Sequence, residues 1–270
     1  MMRKFVYILV FALFAQAGVL NAGTTGNEEL TGSGQSDTAN ECFEGVSRAM
    51  FKLNHGLDKA IFKPVAKGYR ALPVPIRNGT GNVVNNLRSL LTLSNNVLQG
   101  EFGRAGNNAA RFAINTTAGI LGIFDPATKF GFEDQGKEDF GQTLGRWGTD
   151  SGCYFVLPIL GPTTTRDAIG LVGNVFLDPV YQITHNTEIS NGVVGNGSYS
   201  EHNYYYYRGA GAVDFRAKNI ESFDSLEENS IDLYASLKSL YLQNREQKIA
   251  NSTSAVDTQD DSDWEEIDAN

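Results

Sequence analysis

Phe43-Glu44-Gly45-Val46-Ser47-Arg48-Ala49-Met50-Phe51-Lys52-Leu53-Asn54-His55-Gly56-Leu57-Asp58-Lys59-Ala60-Ile61 sets apolar side chains at 43, 46, 50, 53, 57 and 61, the spacing of one helix face. Pro64 interrupts the pattern. The period restarts after Pro73 and Pro75 with Ile76, Val83, Val84, Leu87, Leu90 and Leu91, and recurs over 104–118, 139–147, 165–177, 210–223 and 226–249. In the last segment Leu233, Leu237, Leu240 and Tyr241 form a stripe. Glu227 and Glu228 stand towards one end and Lys238, Arg245 and Lys248 towards the other, the signs that a helix dipole favours. Clean alternation is rare, and Tyr154–Leu157 is the best strand candidate. The expected class is therefore mainly α, a multi-helix single domain over residues 42–249.

At the N-terminus, Arg3 and Lys4 precede an apolar run from Phe5 to Ala15 that is too short to span a bilayer, which reads as a signal peptide. Small-residue sites stand at Ala15-Gln16-Ala17 and Leu20-Asn21-Ala22. The second leaves the more usual polar stretch before the cut, so cleavage is expected after Ala22, giving a signal peptide over 1–22. Residues 23–41, rich in Gly, Thr, Ser and Asn, read as a flexible leader. The net charge of −9 is concentrated at the other end, where Asp257, Asp260, Asp261, Asp263, Glu265, Glu266 and Asp268 occur without a Lys or Arg. Residues 250–270 thus read as a disordered acidic tail. The body is close to neutral, which argues against nucleic acid as a partner.

Catalytic signatures are missing from the sequence. Gly131-Phe132-Glu133-Asp134-Gln135-Gly136-Lys137-Glu138 imitates a phosphate loop, yet Glu138 stands where Ser or Thr must hold magnesium. His55, His185 and His202 pair with no other His or Cys at metal-ligand spacing, and no Gly-x-Ser-x-Gly occurs. No enzyme, cofactor or metal site is expected. Gly119, Gly122, Gly141, Gly145, Gly170 and Gly173 lie within or beside apolar segments, where they serve either close helix approach or helix ends and turns. Tyr204-Tyr205-Tyr206-Tyr207 cannot all face one core. They read either as interfacial aromatics, meeting solvent, a partner or lipid, or as a partly buried loop. Phe140 and Trp147 are expected in the core.

Over residues 41–246 the chain resembles the MlaA (VacJ) family. The resemblance rests on ordered matches: Phe43, Glu44, Gly45, Arg48, Phe51 and Asn54 in the opening helix, then Pro64-Val65-Ala66, Tyr69-Arg70 and Pro73-Val74-Pro75-Ile76-Arg77-Asn78-Gly79. Asn86-Leu87, Leu98-Gln99-Gly100, Arg111-Phe112 and Asn115-Thr116 follow. The densest run is Glu138-Asp139-Phe140-Gly141-Gln142-Thr143-Leu144-Gly145-Arg146-Trp147-Gly148, continued by Val156-Leu157-Pro158-Ile159-Leu160-Gly161-Pro162 and Thr165-Arg166-Asp167. Asp232, Tyr234, Lys238, Tyr241 and Gln243 fit the closing helix.

The resemblance implies a ring-like protein of amphipathic helices on the inner-leaflet, periplasmic side of a Gram-negative outer membrane, docked against a trimeric porin. Its amphipathic pore would pass misplaced outer-leaflet phospholipid to a soluble periplasmic carrier and so maintain lipid asymmetry. A structural, porin-associated or host-contact role without lipid transport is the alternative. Family members commonly carry a lipidated Cys directly after the signal peptide, whereas the first Cys here is Cys42, so the chain is expected to be unlipidated. At Cys42 and Cys153 the resemblance leads one to expect proline. In an oxidising periplasm the two form a candidate disulfide, the alternative being two separate buried thiols.

Overall fold

Pro64 does not end the opening helix in the computed structural model of the chain, which describes residues 41–185 and 202–250, all within the unit Asp37–Asn270. Helix α1 (Glu44–Leu57) passes through a π-helical turn (Asp58–Phe62) straight into α2 (Lys63–Arg70). The proline stands just after the π turn, whose wider backbone makes room for its ring and for the missing N–H. The expected signal peptide, most of the leader and the acidic tail beyond residue 250 lie outside the described residues.

Pro73 turns the chain into α3 (Val74–Leu98), followed by α4 (Phe102–Thr117), the short α5 (Pro126–Lys129) and α6 (Phe140–Arg146). A hairpin of β1 (Tyr154–Leu157) and β2 (Gly161–Thr164) comes next, antiparallel, with Tyr154 opposite Thr164 and Leu157 opposite Gly161. Glu41 adds a parallel bridge to Tyr154. The remaining helices are α7 (Thr165–Leu177), α8 (Pro179–His185), α9 (His202–Lys218), α10 (Ile220–Asn229) and α11 (Leu233–Ile249). The fold is mainly α. Carboxylate and hydroxyl caps mark four starts: Asp125 accepts from the Thr128 N–H at 3.4 Å, Asp139 from Gln142 at 3.0 Å, Thr164 from Asp167 at 3.2 Å and Asp232 from Ala235 at 3.2 Å.

Three expectations need correction. The segment 226–249 is not one helix: the backbone is extended at Ser230, Asp232 caps a fresh start, and Glu227 and Glu228 close α10 instead of opening α11. The tyrosine run lies in α9, which begins at His202 and not at 210, and it is no loop. A helix turns 100° per residue, so the four rings scatter: Tyr204 is 8% exposed and Tyr207 half-buried, while Tyr205 and Tyr206 are 61% and 71% exposed. Finally, Trp147 is 56% exposed and Phe140 half-buried, so neither belongs to the core. The indole instead donates to the Leu98 carbonyl at 3.1 Å and meets the Phe140 ring edge-on.

The apolar core is small. Tyr154, Val156 and Tyr234 pack with Met50, Phe51, Tyr241 and Leu242 in one cluster, and Ala66, Ala217 and Ile220 with Tyr69 in another. Between the helices the buried side chains are largely polar: Asn86, Ser89, Thr92, Asn95 and Asn96 on α3, and Asn108, Arg111 and Asn115 on α4. Phe43, Val46, Leu53, Ile61, Phe62 and Val65, by contrast, stand exposed along α1, the π turn and α2. Glycine lets α6 and α7 touch, since a Cβ on Gly170 would meet the Gly141 Cα at 2.6 Å. Gly170→Ala is expected to destabilise the protein by about 1–3 kcal/mol in a urea titration, the overpacking outweighing the gain in helix propensity. An unchanged midpoint would show that the two helices slide apart freely.

Candidate functional site

Helix α3 presents two unlike faces. Asn82, Asn85, Asn86 and Ser89 line one side of a small polar pocket of about 90 Å³ closed by α4 and the segment from Asp125 to Lys137. Its charges are already matched: Arg111 donates to Asp125 at 2.7 Å and to Thr128 at 3.0 Å, and Lys137 pairs with Asp134 at 2.6 Å. That pocket holds the helices together and leaves no charge for a ligand.

The opposite face of α3 is apolar. Ile76, Gly79, Val83, Val84 and Leu87 form one wall of a cleft of about 610 Å³, with Ile123, Tyr206, Tyr207 and Ala210 opposite. Val84 and Tyr207 also line a second cleft of about 390 Å³, whose other walls are Arg88, Arg208, Gly211, Ala212, Phe215 and Leu160. Gly211 makes the approach of α9 to α3 possible, because a Cβ there would lie 2.9 Å from Val84 Cγ1. Helix periodicity places the residues along α3: Ile76, Val83, Val84 and Leu87 form one stripe, and Arg88 stands at its edge. The two clefts thus join into one amphipathic groove, apolar at one end and arginine-bearing at the other. Burial and Asp178 push the Tyr207 hydroxyl pKa above its ordinary value, against the opposing pull of Arg88 and Arg208. The Tyr207 phenol is neutral at physiological pH.

Two apolar tips flank this groove, both with backbone in the left-handed region that β-branched residues rarely adopt. Ile120 has φ 53° and Leu121 φ 57° in the turn before Ile123, and Ile159 has φ 67° in the hairpin turn beside Leu160. Asn54 holds the second tip, accepting from the Ile159 N–H at 2.7 Å and donating to the Leu157 carbonyl at 2.8 Å.

The motif residues mostly gather elsewhere. Arg245 on α11 donates to Asp139 at 2.6 and 3.0 Å and to Asp167 at 2.7 Å, and Tyr241 donates to Asp167 at 2.5 Å. Arg166 adds a contact to Asp167 at 3.2 Å. Burial raises both aspartate pKa values, but the hydrogen bonds and charge of Arg245 override it and hold each below the usual carboxylate range. Gln142 donates to Asp139 at 2.9 Å, Leu144 is half-buried on the same helix, and Gly145 admits the Ile249 side chain. Arg48 bridges Glu44 and Asp232 and lies over the Tyr234 ring, which Phe51 meets edge-on. Phe43 and Gly45 are exposed, and Arg77 donates to the Leu72 carbonyl. Gly148 and Gly161 occupy left-handed turns, and Pro158 precedes the hairpin tip. Cys42 and Cys153 are joined in a disulfide, their α-carbons 5.5 Å apart. Of the motif residues, Pro75, Ile76, Gly79 and Leu87 line the apolar cleft, where two of the four tyrosines join them. Sequence reading missed Arg88 and Arg208; the visible signal for the first was an arginine bordering the Val84–Leu87 stripe.

A family model described as MlaA lipoprotein matches residues 39–248. The chain belongs to the MlaA family. It is 32% identical to the intermembrane phospholipid transport system lipoprotein MlaA of Haemophilus influenzae, covering 80% of this chain and 81% of that one. It is 30% identical to the Escherichia coli protein of the same name, covering 86% and 88%. A solved structure described as the "structural basis for maintenance of bacterial outer membrane lipid asymmetry" superposes with a TM-score of 0.64 at 28% identity, covering 78% of this chain and 99% of that one. The word lipoprotein in the family and relatives' names stands against the expectation of an unlipidated chain. The Cys42 sulfur itself is held by Cys153.

Proposed function

We propose that this chain is the outer-membrane component of an intermembrane phospholipid transport system, removing misplaced outer-leaflet phospholipid through an amphipathic path. The observation that carries this reading is the inverted polarity of the domain: polar side chains fill the space between helices while large apolar ones face outward. In water such an arrangement is costly, whereas in the hydrocarbon of one leaflet it is favourable. No helix among the described residues is long and apolar enough to cross a membrane, which suits a protein seated in the inner leaflet. The groove between α3 and α9 offers the acyl chains an apolar wall and the head group a polar one, and this lowers the transfer barrier without covalent chemistry. Tyr205 and Tyr206 fit the interfacial layer between lipid and water. A trimeric porin would support the outward apolar faces, and a soluble periplasmic carrier would receive the lipid.

Deleting the gene tests this. Phospholipid exposed in the outer leaflet should rise and be restored by the wild-type chain, but not by Ala210→Trp, which fills the apolar cleft. Unchanged outer-leaflet phospholipid after deletion would leave a porin-organising or surface role in its place.

A further inference from the structure

Arg88 and Arg208 are two arginines that face one cavity without a salt-bridged carboxylate partner among the described residues. Among the described residues Arg48, Arg70, Arg104, Arg111, Arg146, Arg166, Arg216 and Arg245 all pair with carboxylates. The guanidinium groups of Arg88 and Arg208 hold no salt bridge there; both residues are exposed and line a cavity that adjoins the apolar cleft. They come from different helices, α3 and α9, yet line the same cavity, and both act on the Tyr207 hydroxyl. A guanidinium carries five donors in a planar fork that matches the oxygens of a phosphate. The carboxylate acting on Arg208 is that of Asp178, which is buried, leaves one oxygen without a hydrogen-bond partner and has its pKa pushed up by that burial.

We infer that Arg88 and Arg208 form a phosphate station on the lipid path, gripping the phosphodiester of a phospholipid while its acyl chains occupy the adjoining apolar cleft. The inference rests on the transport reading above and adds the group on the lipid that is recognised and the residues that recognise it. Cavity and cleft share Val84 and Tyr207, so one molecule with a charged head and two chains fills both. A diacylglycerol with the same chains offers the arginines no anion and leaves them facing solvent.

The test uses the full chain in detergent and native mass spectrometry with stepped additions of dioctanoyl phosphatidylglycerol or of dioctanoylglycerol. The double variant Arg88→Gln/Arg208→Gln should bind the phospholipid at least about tenfold more weakly and the diacylglycerol unchanged, with Arg88→Lys/Arg208→Lys in between. Its thermal unfolding should stay close to wild type, because neither guanidinium holds a salt bridge among the described residues and Arg208 meets the Tyr204 ring only at 6.0 Å. Ala210→Trp should abolish binding of both lipids. If Ala210→Trp blocks both lipids but the glutamine pair binds phospholipid normally, the station is wrong and the path stands. If Ala210→Trp blocks neither, or wild type binds neither lipid, the path itself fails and the station with it. Inorganic phosphate at the concentration of the phospholipid should not displace it; displacement would assign the arginines to a free anion and overturn the inference.

Discussion

Arg245→Met is expected to destabilise the protein by roughly 3–5 kcal/mol at neutral pH, because it strips the shared guanidinium from the buried Asp167 and the partly buried Asp139. Arg245 bonds Asp139, the cap of α6, and Asp167, in the first turn of α7, from its seat on α11. One side chain thereby locks the closing helix onto the glycine-mediated contact between α6 and α7. In the wild type both aspartates are depressed, so their contribution is present above the unfolded value of about 3.9 and is lost as pH falls through the lower folded values. In the variant the depression is lifted. Without Arg245, burial pushes both pKa values up against only the Gln142 contacts at Asp139 and the Tyr241 and Arg166 contacts at Asp167, and protonation relieves part of the penalty. The deficit relative to wild type should therefore shrink between pH 7 and pH 4.5 in paired urea titrations. A deficit equal at the two pH values would mean that lost packing of the arginine stem, and not the orphaned charge, sets the cost.

Reduction of the Cys42–Cys153 disulfide, or its replacement by serines, should lower stability by up to about 4–5 kcal/mol on the chain-entropy argument. The bridge spans 111 positions of sequence, so it removes a large share of unfolded-state freedom. It also holds Glu41 in place: the Glu41 carboxylate accepts from the Tyr234 hydroxyl and from Lys238 at 2.7 Å, which ties the first described residue to α11. Scanning calorimetry with and without reductant should show a drop in unfolding temperature on the order of 10 °C for a chain of this size. Thiol labelling of both cysteines in unfolded, unreduced protein would show that no bridge forms.

The helices were legible because their signal is local. Apolar spacing over 165–177 coincides with α7, and Tyr154–Leu157 with β1, since a period of 3.6 or 2 is written into neighbouring residues. Its partner β2, Gly161–Thr164, has no such alternation and is a strand only because it pairs with β1. The break between α10 and α11 escaped notice because the apolar stripe runs on across it, while the Asp232 cap is one residue among many acidic ones.

Family membership was also a property of the sequence, carried by ordered motifs whose residues, once folded, prove mostly to be clamps: Asn54 on the hairpin tip, Arg48 on Asp232, and Asp139 and Asp167 on Arg245. What sequence could not reveal is which side of each helix faces outward. Periodicity finds an amphipathic face but is blind to its partner, so Val46 and Leu53 read like core positions and turn out exposed, while Asn95 and Thr92 are buried. The groove is tertiary in the same sense. Arg88 and Arg208 lie 120 positions apart, and their meeting across one cavity depends on Gly211 letting α9 settle against Val84, a packing decision that no local pattern encodes.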